Sequence, residues 1–320
     1  MTKSACAIGV DLGGHSIKLA VVDETGKIRL REATPTYAGK GKDTSLAQIV
    51  RSVQALLAQA RAVCDELVGI GIGAPGLIDV ESGTVRVSPN FPGWVDVPLR
   101  KILEDVTELP ARIGNDANMV AMGENAFGAG KEFQHFICAT LGTGIGGAIV
   151  IDGKVVTGAD GTAGEIGHTT VYPDGPLCNC GNHGCLERLV GIKYIVERAL
   201  SKLERGSYES LLPRMVDGQL DRLTPKLIAQ AAEQGDLLAQ DVFEETGTIL
   251  GIAFANLVNI LNPEAIVLGG GVSNAGELIF APIRETIQRR AMSVPRATVQ
   301  VVPATLGHDA GMIGASLLVR

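Results

Sequence analysis

Ala5-Cys6-Ala7-Ile8-Gly9-Val10-Asp11-Leu12-Gly13-Gly14-His15-Ser16-Ile17-Lys18-Leu19-Ala20-Val21-Val22-Asp23 contains two apolar runs separated by a pair of glycines. That is the pattern of two strands, Ala5–Asp11 and Ser16–Asp23, joined by a tight turn. A third strand, Lys27–Thr34, follows the turn Glu24-Thr25-Gly26. The same grammar restarts in mid-chain. Phe136–Leu141 and Ala148–Ile151 read as strands flanking Gly142-Thr143-Gly144-Ile145-Gly146-Gly147. Two halves that open in this way, and then alternate strands with helices, imply two α/β domains with mixed sheets. A cleft between such domains is a usual place for a ligand.

Outward from these hairpins, a helical pattern runs over Thr44–Glu66, with Leu46, Ile49, Val50, Val53, Leu56, Leu57 and Ala60 on one face. Strands are expected at Leu67–Gly73, near Leu77–Val80 and at Ala111–Ile113, with helices near Leu99–Leu103 and from about Asn118 to Phe127. In the second half, helices are expected over Ile192–Leu203, Pro225–Glu233, Leu237–Leu261 and Glu277–Arg290. Strands are expected at Ala265–Leu268 and Thr298–Val302, and a final helix near Ala310–Leu318. The division expected is a small domain of residues 1–117, completed by the C-terminal helix 305–320, and a large domain of residues 118–304. The small-residue stripe of Leu237–Leu261 (Gly247, Gly251, Ala253, Ala255) suits either tight packing inside the large domain or a subunit contact.

Hydrophobic residues make up 46% of the 320 and the formal net charge is −7. No Lys/Arg-rich stretch occurs, which argues against a general nucleic-acid binder, whose affinity comes from phosphate neutralisation. The first apolar run is too short for a secretory signal, and no run reaches the roughly 20 residues that span a bilayer. Cys6, Cys64 and Cys138 lie singly in apolar runs and read as buried thiols of a reducing compartment, the cytoplasm.

Asp11-Leu12-Gly13-Gly14 is suited to phosphate: a hairpin without Cβ atoms brings its amides close, and an Asp at the strand end can hold Mg²⁺ through water. Gly142, Gly144 and Gly147 match G-x-G-x-x-G, as do Gly71, Gly73 and Gly76, but neither opens a helix, so the dinucleotide reading falls. No P-loop pattern is present. Asn115-Asp116 follows a strand and starts a helix, where either residue suits an N-cap. A carboxylate there also suits a base that takes a hydroxyl proton during phosphoryl transfer. Cys178, Cys180 and Cys185 have the spacing of a metal knuckle, and tetrahedral Zn²⁺ asks for a fourth ligand, His168 or His183. No C-x-x-C redox motif is present.

Taken together these residues resemble the ROK family of repressors, open reading frames and kinases, and within it the bacterial glucokinases. The resemblance runs from Asp11-Leu12-Gly13-Gly14 to Gly307-His308-Asp309-Ala310-Gly311. Its most specific part is Glu165-Ile166-Gly167-His168 followed by Cys178-x-Cys180-Gly181-x-x-Gly184-Cys185-x-Glu187. It implies the actin-like ATPase (ribonuclease H-like) fold, with two domains, mixed sheets and an interdomain cleft. It implies Asp116 as the catalytic base, and Gly76, Asn90, Asn115, Asp116, Glu165, His168 and Glu187 at the sugar. Asp11, Gly13, Gly14, Thr143, Gly144, Gly270 and Gly271 fall to the nucleotide and its metal. His168, Cys178, Cys180 and Cys185 fall to zinc, with the second imidazole nitrogen left to reach the sugar. ATP, Mg²⁺ and a structural Zn²⁺ are the cofactors implied, and a homodimer or homotetramer the assembly.

The resemblance implies transfer of the γ-phosphate of ATP to the C6 hydroxyl of glucose. Asn90-Phe91-Pro92-Gly93-Trp94 looks like the glucokinase segment. Other readings stay open: a kinase for N-acetylmannosamine, N-acetylglucosamine, fructose or mannose, polyphosphate as donor, or a non-catalytic sugar-binding protein. A repressor needs a DNA-binding segment ahead of the first glycine hairpin, where ten residues precede Asp11. The family usually has Thr where this chain has His15, which removes one hydroxyl donor from the first phosphate loop.

Overall fold

The computed structural model describes residues 5–206 and 209–320. In chain order the elements are β1 (Ala5–Leu12), β2 (Ser16–Asp23), β3 (Ile28–Pro35), α1 (Lys42–Ala60), β4 (Glu66–Ala74), β5 (Leu77–Asp79), β6 (Thr84–Val87), β7 (Val95–Val97), α2 (Leu99–Thr107), β8 (Ala111–Asn115) and α3 (Asp116–Phe127). They continue with β9 (Phe136–Leu141), β10 (Ile145–Ile151), β11 (Lys154–Val155), α4 (Leu186–Val190), α5 (Ile192–Arg205), α6 (Leu212–Met215), α7 (Pro225–Glu233) and α8 (Leu237–Leu261). The last are β12 (Ala265–Gly269), α9 (Glu277–Arg290), α10 (Ser293–Thr298), β13 (Gln300–Pro303) and α11 (Ala310–Ser316).

Two compact units result. One holds the described residues of Met1–Gln134 with Ala148–Gly164 and Ala304–Arg320; the other holds those of His135–Gly147 and Glu165–Pro303. The first is built on a sheet of order β3-β2-β1-β4-β8. β1 to β3 are joined antiparallel by tight turns, while β4 and β8 return parallel to β1 through helical crossovers. The mixture follows from connection length: a short turn forces an antiparallel neighbour, and a helix permits a parallel one. Its core gathers alternate residues such as Ile8, Val10, Leu19 and Val21 with Ile49, Val53 and Leu56 of α1. A three-stranded sheet, β5-β6-β7, adjoins it.

The second sheet has the order β11-β10-β9-β12-β13, with β9, β12 and β13 parallel. Strand β12, between β9 and β13, is buried along its whole length, as a parallel strand covered on both faces must be. The small-residue stripe of α8 is used within this unit. Gly247 and Gly251 face Pro282 and Thr286 of α9, and a Cβ at Gly247 would lie 2.4 Å from the Pro282 ring.

The C-terminal segment is fixed to the first unit by Glu124, a fully buried carboxylate of α3. It accepts the amides of Thr305 (3.2 Å) and Leu306 (2.8 Å), together with that of Ala129 (2.8 Å). One expectation is overturned. Cys6 and Cys64, read as separate thiols, form a disulfide with Cα atoms 6.2 Å apart. Cys6 lies near the start of β1, the middle strand of this sheet, and Cys64 follows α1, so they are 58 residues apart in sequence yet adjacent in the fold. Cys138 is buried and takes part in no disulfide.

Candidate active site

In the first unit, β1 delivers Asp11 to its C-terminal end, opposite Lys18 in the β1–β2 register. The Lys18 ammonium stands 3.3 Å from Asp11 Oδ2. The turn that follows is closed by the Gly13 amide donating to Ser16 O (3.0 Å). It is pinned from outside by buried Thr36, whose amide donates to His15 O (3.0 Å) and whose hydroxyl donates to Gly13 O (2.7 Å). Gly14 lies against Asn90: a Cβ on Gly14 would meet Asn90 Cβ at 3.3 Å. His15 is exposed.

Asn90 is held out by its neighbours. Phe91 and Trp94 are buried with ring centroids 4.5 Å apart, and the Trp94 indole N–H donates to Ser45 Oγ of α1 at 3.0 Å. A buried indole needs such a partner; once anchored, the segment leaves Asn90 exposed. Gly76 follows β4 and lies against Val87 and Ser88, close before Asn90 in the chain.

β8 ends at Asn115, whose Oδ1 accepts the amides of Ala117 (3.0 Å) and Asn118 (3.2 Å) as the N-cap of α3. Of the two residues that suited a cap, Asn115 carries it and half-buried Asp116 is the first helical residue. Asp116 Oδ1 also accepts the Ala117 amide at 2.9 Å. The end of β4 abuts it, for a Cβ on Gly73 would lie 3.4 Å from Asp116 Cα.

In the second unit, the loop after β9 closes on itself, with the Gly142 amide donating to Gly144 O (3.0 Å). Thr143 is exposed at its tip. Gly270 has φ +88°, and a Cβ there would lie 2.3 Å from Leu141 O, so only glycine lets the β12 loop rest on the base of this one. Gly271 is exposed, with no atom within 4 Å of a built Cβ. Glu187, in the first turn of α4, accepts the Ile145 amide at 3.0 Å. Glu165 is exposed and precedes the short turn Ile166–His168, where the His168 amide donates to Glu165 O at 3.1 Å.

That turn carries His168 into the cysteine cluster. Ligand atoms of His168, Cys178, Cys180 and Cys185 all lie within 4.8 Å of one another. His168 Nδ1 is 3.7 Å from Cys178 Sγ, and Cys180 Sγ is 3.7 Å from Cys185 Sγ. Tetrahedral zinc with Zn–S bonds of about 2.3 Å places its sulfurs about 3.8 Å apart, so the four groups fit that ion. His183 is turned away, with Nδ1 3.2 Å from Gly175 O. Burial foremost, with the neighbouring thiols, pushes the Cys185 thiol up to about 12; the Asn182 amide holds the exposed Cys180 below its ordinary value.

Asp11, Gly13, Gly14, Gly76, Asn90, Asn115 and Asp116 therefore belong to the first unit, and Thr143, Gly144, Glu165, His168, Glu187, Gly270, Gly271 and the three cysteines to the second. Reading by motif missed Lys18 and Thr36. The register of a two-glycine hairpin, which sets Lys18 opposite Asp11, was the signal for the first; nothing local in the sequence marks the second.

Residues 7–320 match the ROK family. A glucokinase of Halalkalibacterium halodurans is 40% identical over 314 residues, 98% of this chain and 94% of that protein. A xylose repressor of Caldicellulosiruptor bescii is 35% identical over 98% of this chain and 77% of its own length. The crystal structure of a ROK family glucokinase from Streptomyces griseus, in complex with glucose and AMPPNP, matches with a TM-score of 0.83 and 38% identity, covering 98% of each chain. The mixed sheets are accordingly those of the actin-like ATPase fold. By sequence over nearly its whole length and by structure, this chain belongs to the ROK family.

Proposed function

We propose that this chain is an ATP-dependent glucokinase, transferring the γ-phosphate of ATP to the C6 hydroxyl of glucose. The observation that carries the reading is Asp116. It sits at the first position of a helix whose cap is supplied by Asn115, in a chain 38% identical to a glucokinase solved with glucose and AMPPNP. In this reading Asp116 takes the C6 proton as the bond to phosphorus forms. Asn90, Asn115, Glu165, Glu187, His168 Nε2 and the backbone at Gly76 take up ring hydroxyls. Polar readout of that kind discriminates, because a missing hydroxyl leaves its partners unpaired.

The loops at Gly13-Gly14, Thr143-Gly144 and Gly270-Gly271 offer backbone amides to the nucleotide, and Asp11 would hold its Mg²⁺. His168, Cys178, Cys180 and Cys185 would hold zinc, and that ligation would fix the loop from Glu165 to Glu187. We place the protein in the cytoplasm, where ATP is the donor, as a homodimer or homotetramer. Among the described residues no helix is long and apolar enough to cross a membrane.

The test is ADP release with Mg·ATP against glucose, mannose, fructose, N-acetylglucosamine and N-acetylmannosamine, with polyphosphate as the alternative donor. Turnover with glucose and ATP supports the reading. Turnover with an N-acetyl sugar alone moves the substrate, and glucose binding without turnover on any donor makes the chain a sugar-responsive binding protein.

A further inference from the structure

The corner between α4 and α5 grips the glycine loop at three points. Glu187 Oε2 accepts the Ile145 amide at 3.0 Å. Gly142 O accepts the Ile192 amide at 3.0 Å. Gly191 comes so near that a Cβ on it would lie 2.8 Å from Thr143 O. Gly144 completes the fit, since a Cβ there would lie 2.2 Å from Glu187 Oε2. Gly144 is thus matched to a carboxylate of its own unit, a reason for glycine independent of any phosphate.

Glu187 has two oxygens and the loop engages one. Among the described residues Oε1 has no protein donor, which leaves it for a hydroxyl. We propose that Glu187 is a positioning residue coupling two ligands: sugar on Oε1 holds Oε2 against the Ile145 amide, so that the loop Gly142–Gly147 is set before the nucleotide arrives. The inference rests on the glucokinase reading, in which Glu187 meets the sugar and this loop meets the nucleotide.

The physical argument concerns the terminal torsion. A glutamate carboxylate turns about a broad, roughly two-fold χ3. A donor on one oxygen narrows that rotation and with it the freedom of the amide on the other. The first ligand then meets the cost of ordering the loop, and the second binds more tightly. Linkage makes the effect reciprocal, and couplings of this kind span about 5–150-fold.

The experiment is calorimetric titration of the full chain with Mg·AMPPNP, with and without saturating glucose, in wild type, Glu187→Ala and Glu187→Gln. In wild type glucose is expected to tighten AMPPNP by about fivefold or more. Glu187→Ala is expected to weaken AMPPNP in the absence of sugar and to abolish the enhancement. Glu187→Gln, which keeps an oxygen for the Ile145 amide, is expected to restore sugar-free AMPPNP affinity to within about twofold of wild type.

A residue that only contacts sugar would leave sugar-free AMPPNP affinity unchanged in Glu187→Ala. A merely structural residue would weaken both ligands and keep the enhancement. Either result overturns the inference while the glucokinase reading stands. If wild type binds no glucose at all, the two fall together.

Discussion

Asn115 Oδ1 lies 3.2 Å from the amide nitrogen of Asn118 and accepts its hydrogen bond, which makes Asn115 the cap of the helix that begins with Asp116. Of the two adjacent residues that suited a cap, Asn115 supplies it and Asp116 is the first residue of the helix. Asn115→Ala is expected to cost about 1 kcal/mol in chemical denaturation and to raise KM for glucose. Asn115→Asp keeps an acceptor of equal capping strength, so it is expected to retain stability while losing the amide donor that the proposed function assigns to sugar. Equal destabilisation by both substitutions would remove the cap from the account.

The Cys6–Cys64 disulfide closes a 58-residue separation within the first unit. Cross-links of this kind stabilise by about 2–4 kcal/mol, chiefly by restricting the unfolded chain. A dithiol reductant is expected to lower the unfolding free energy of wild type by that margin, and the midpoint with it. It should leave a Cys6→Ser, Cys64→Ser double variant unaffected. Coincident midpoints for oxidised and reduced wild type would refute the staple.

Asp23 follows β2 into its turn. Burial raises its carboxyl, but bonds from Thr25 Oγ1, the Lys27 and Thr25 amides and Arg29 outweigh that and hold it below the ordinary carboxylate range. A lowered folded-state pKa adds stability above the unfolded value of about 3.9, and that stability fades as pH falls through the folded value. Asp23→Asn is therefore expected to destabilise at pH 7 by about 1–3 kcal/mol. Below pH about 4 the gap between variant and wild type should close. A gap independent of pH would show that the charge is not what matters.

The donor set of His168, Cys178, Cys180 and Cys185 leads to a stoichiometric expectation. Elemental analysis should find one zinc per chain, lost in Cys185→Ser and in His168→Asn together with thermal stability, because binding energy at such sites is folding energy. His183→Asn should keep its zinc, since its ring is engaged with Gly175. Loss of zinc from the His183 variant alone would reassign the fourth ligand.

Much of this was legible in the sequence, and the exceptions share a cause. The bounds of α8 and α9, and of β2 and β9, were read to the residue, because long apolar periods and glycine turns state their own ends. α1 stops at Ala60, short of the expected Glu66, where Cys64 is drawn to Cys6. β6 and β7 were not read at all. They are strands of four and three residues whose pairing, Val85 with Val97, is set by tertiary contact rather than local pattern. The same holds at the site. Asp116, the cysteine cluster and the glycine loops announce themselves as motifs. The hold of Glu187 on Ile145, the pin supplied by Thr36 and the disulfide depend on residues at least 20 positions apart, which a linear reading does not bring together.

Asp116 as the catalytic base is tested by kcat for glucose phosphorylation with Mg·ATP in wild type and Asp116→Asn, alongside glucose affinity of both by calorimetry. The asparagine keeps size and hydrogen-bonding capacity but cannot take the proton. With Asp116 as the base, kcat is expected to fall about 10²–10⁴-fold while glucose still binds. Unchanged kcat in a folded, glucose-binding variant would contradict that role.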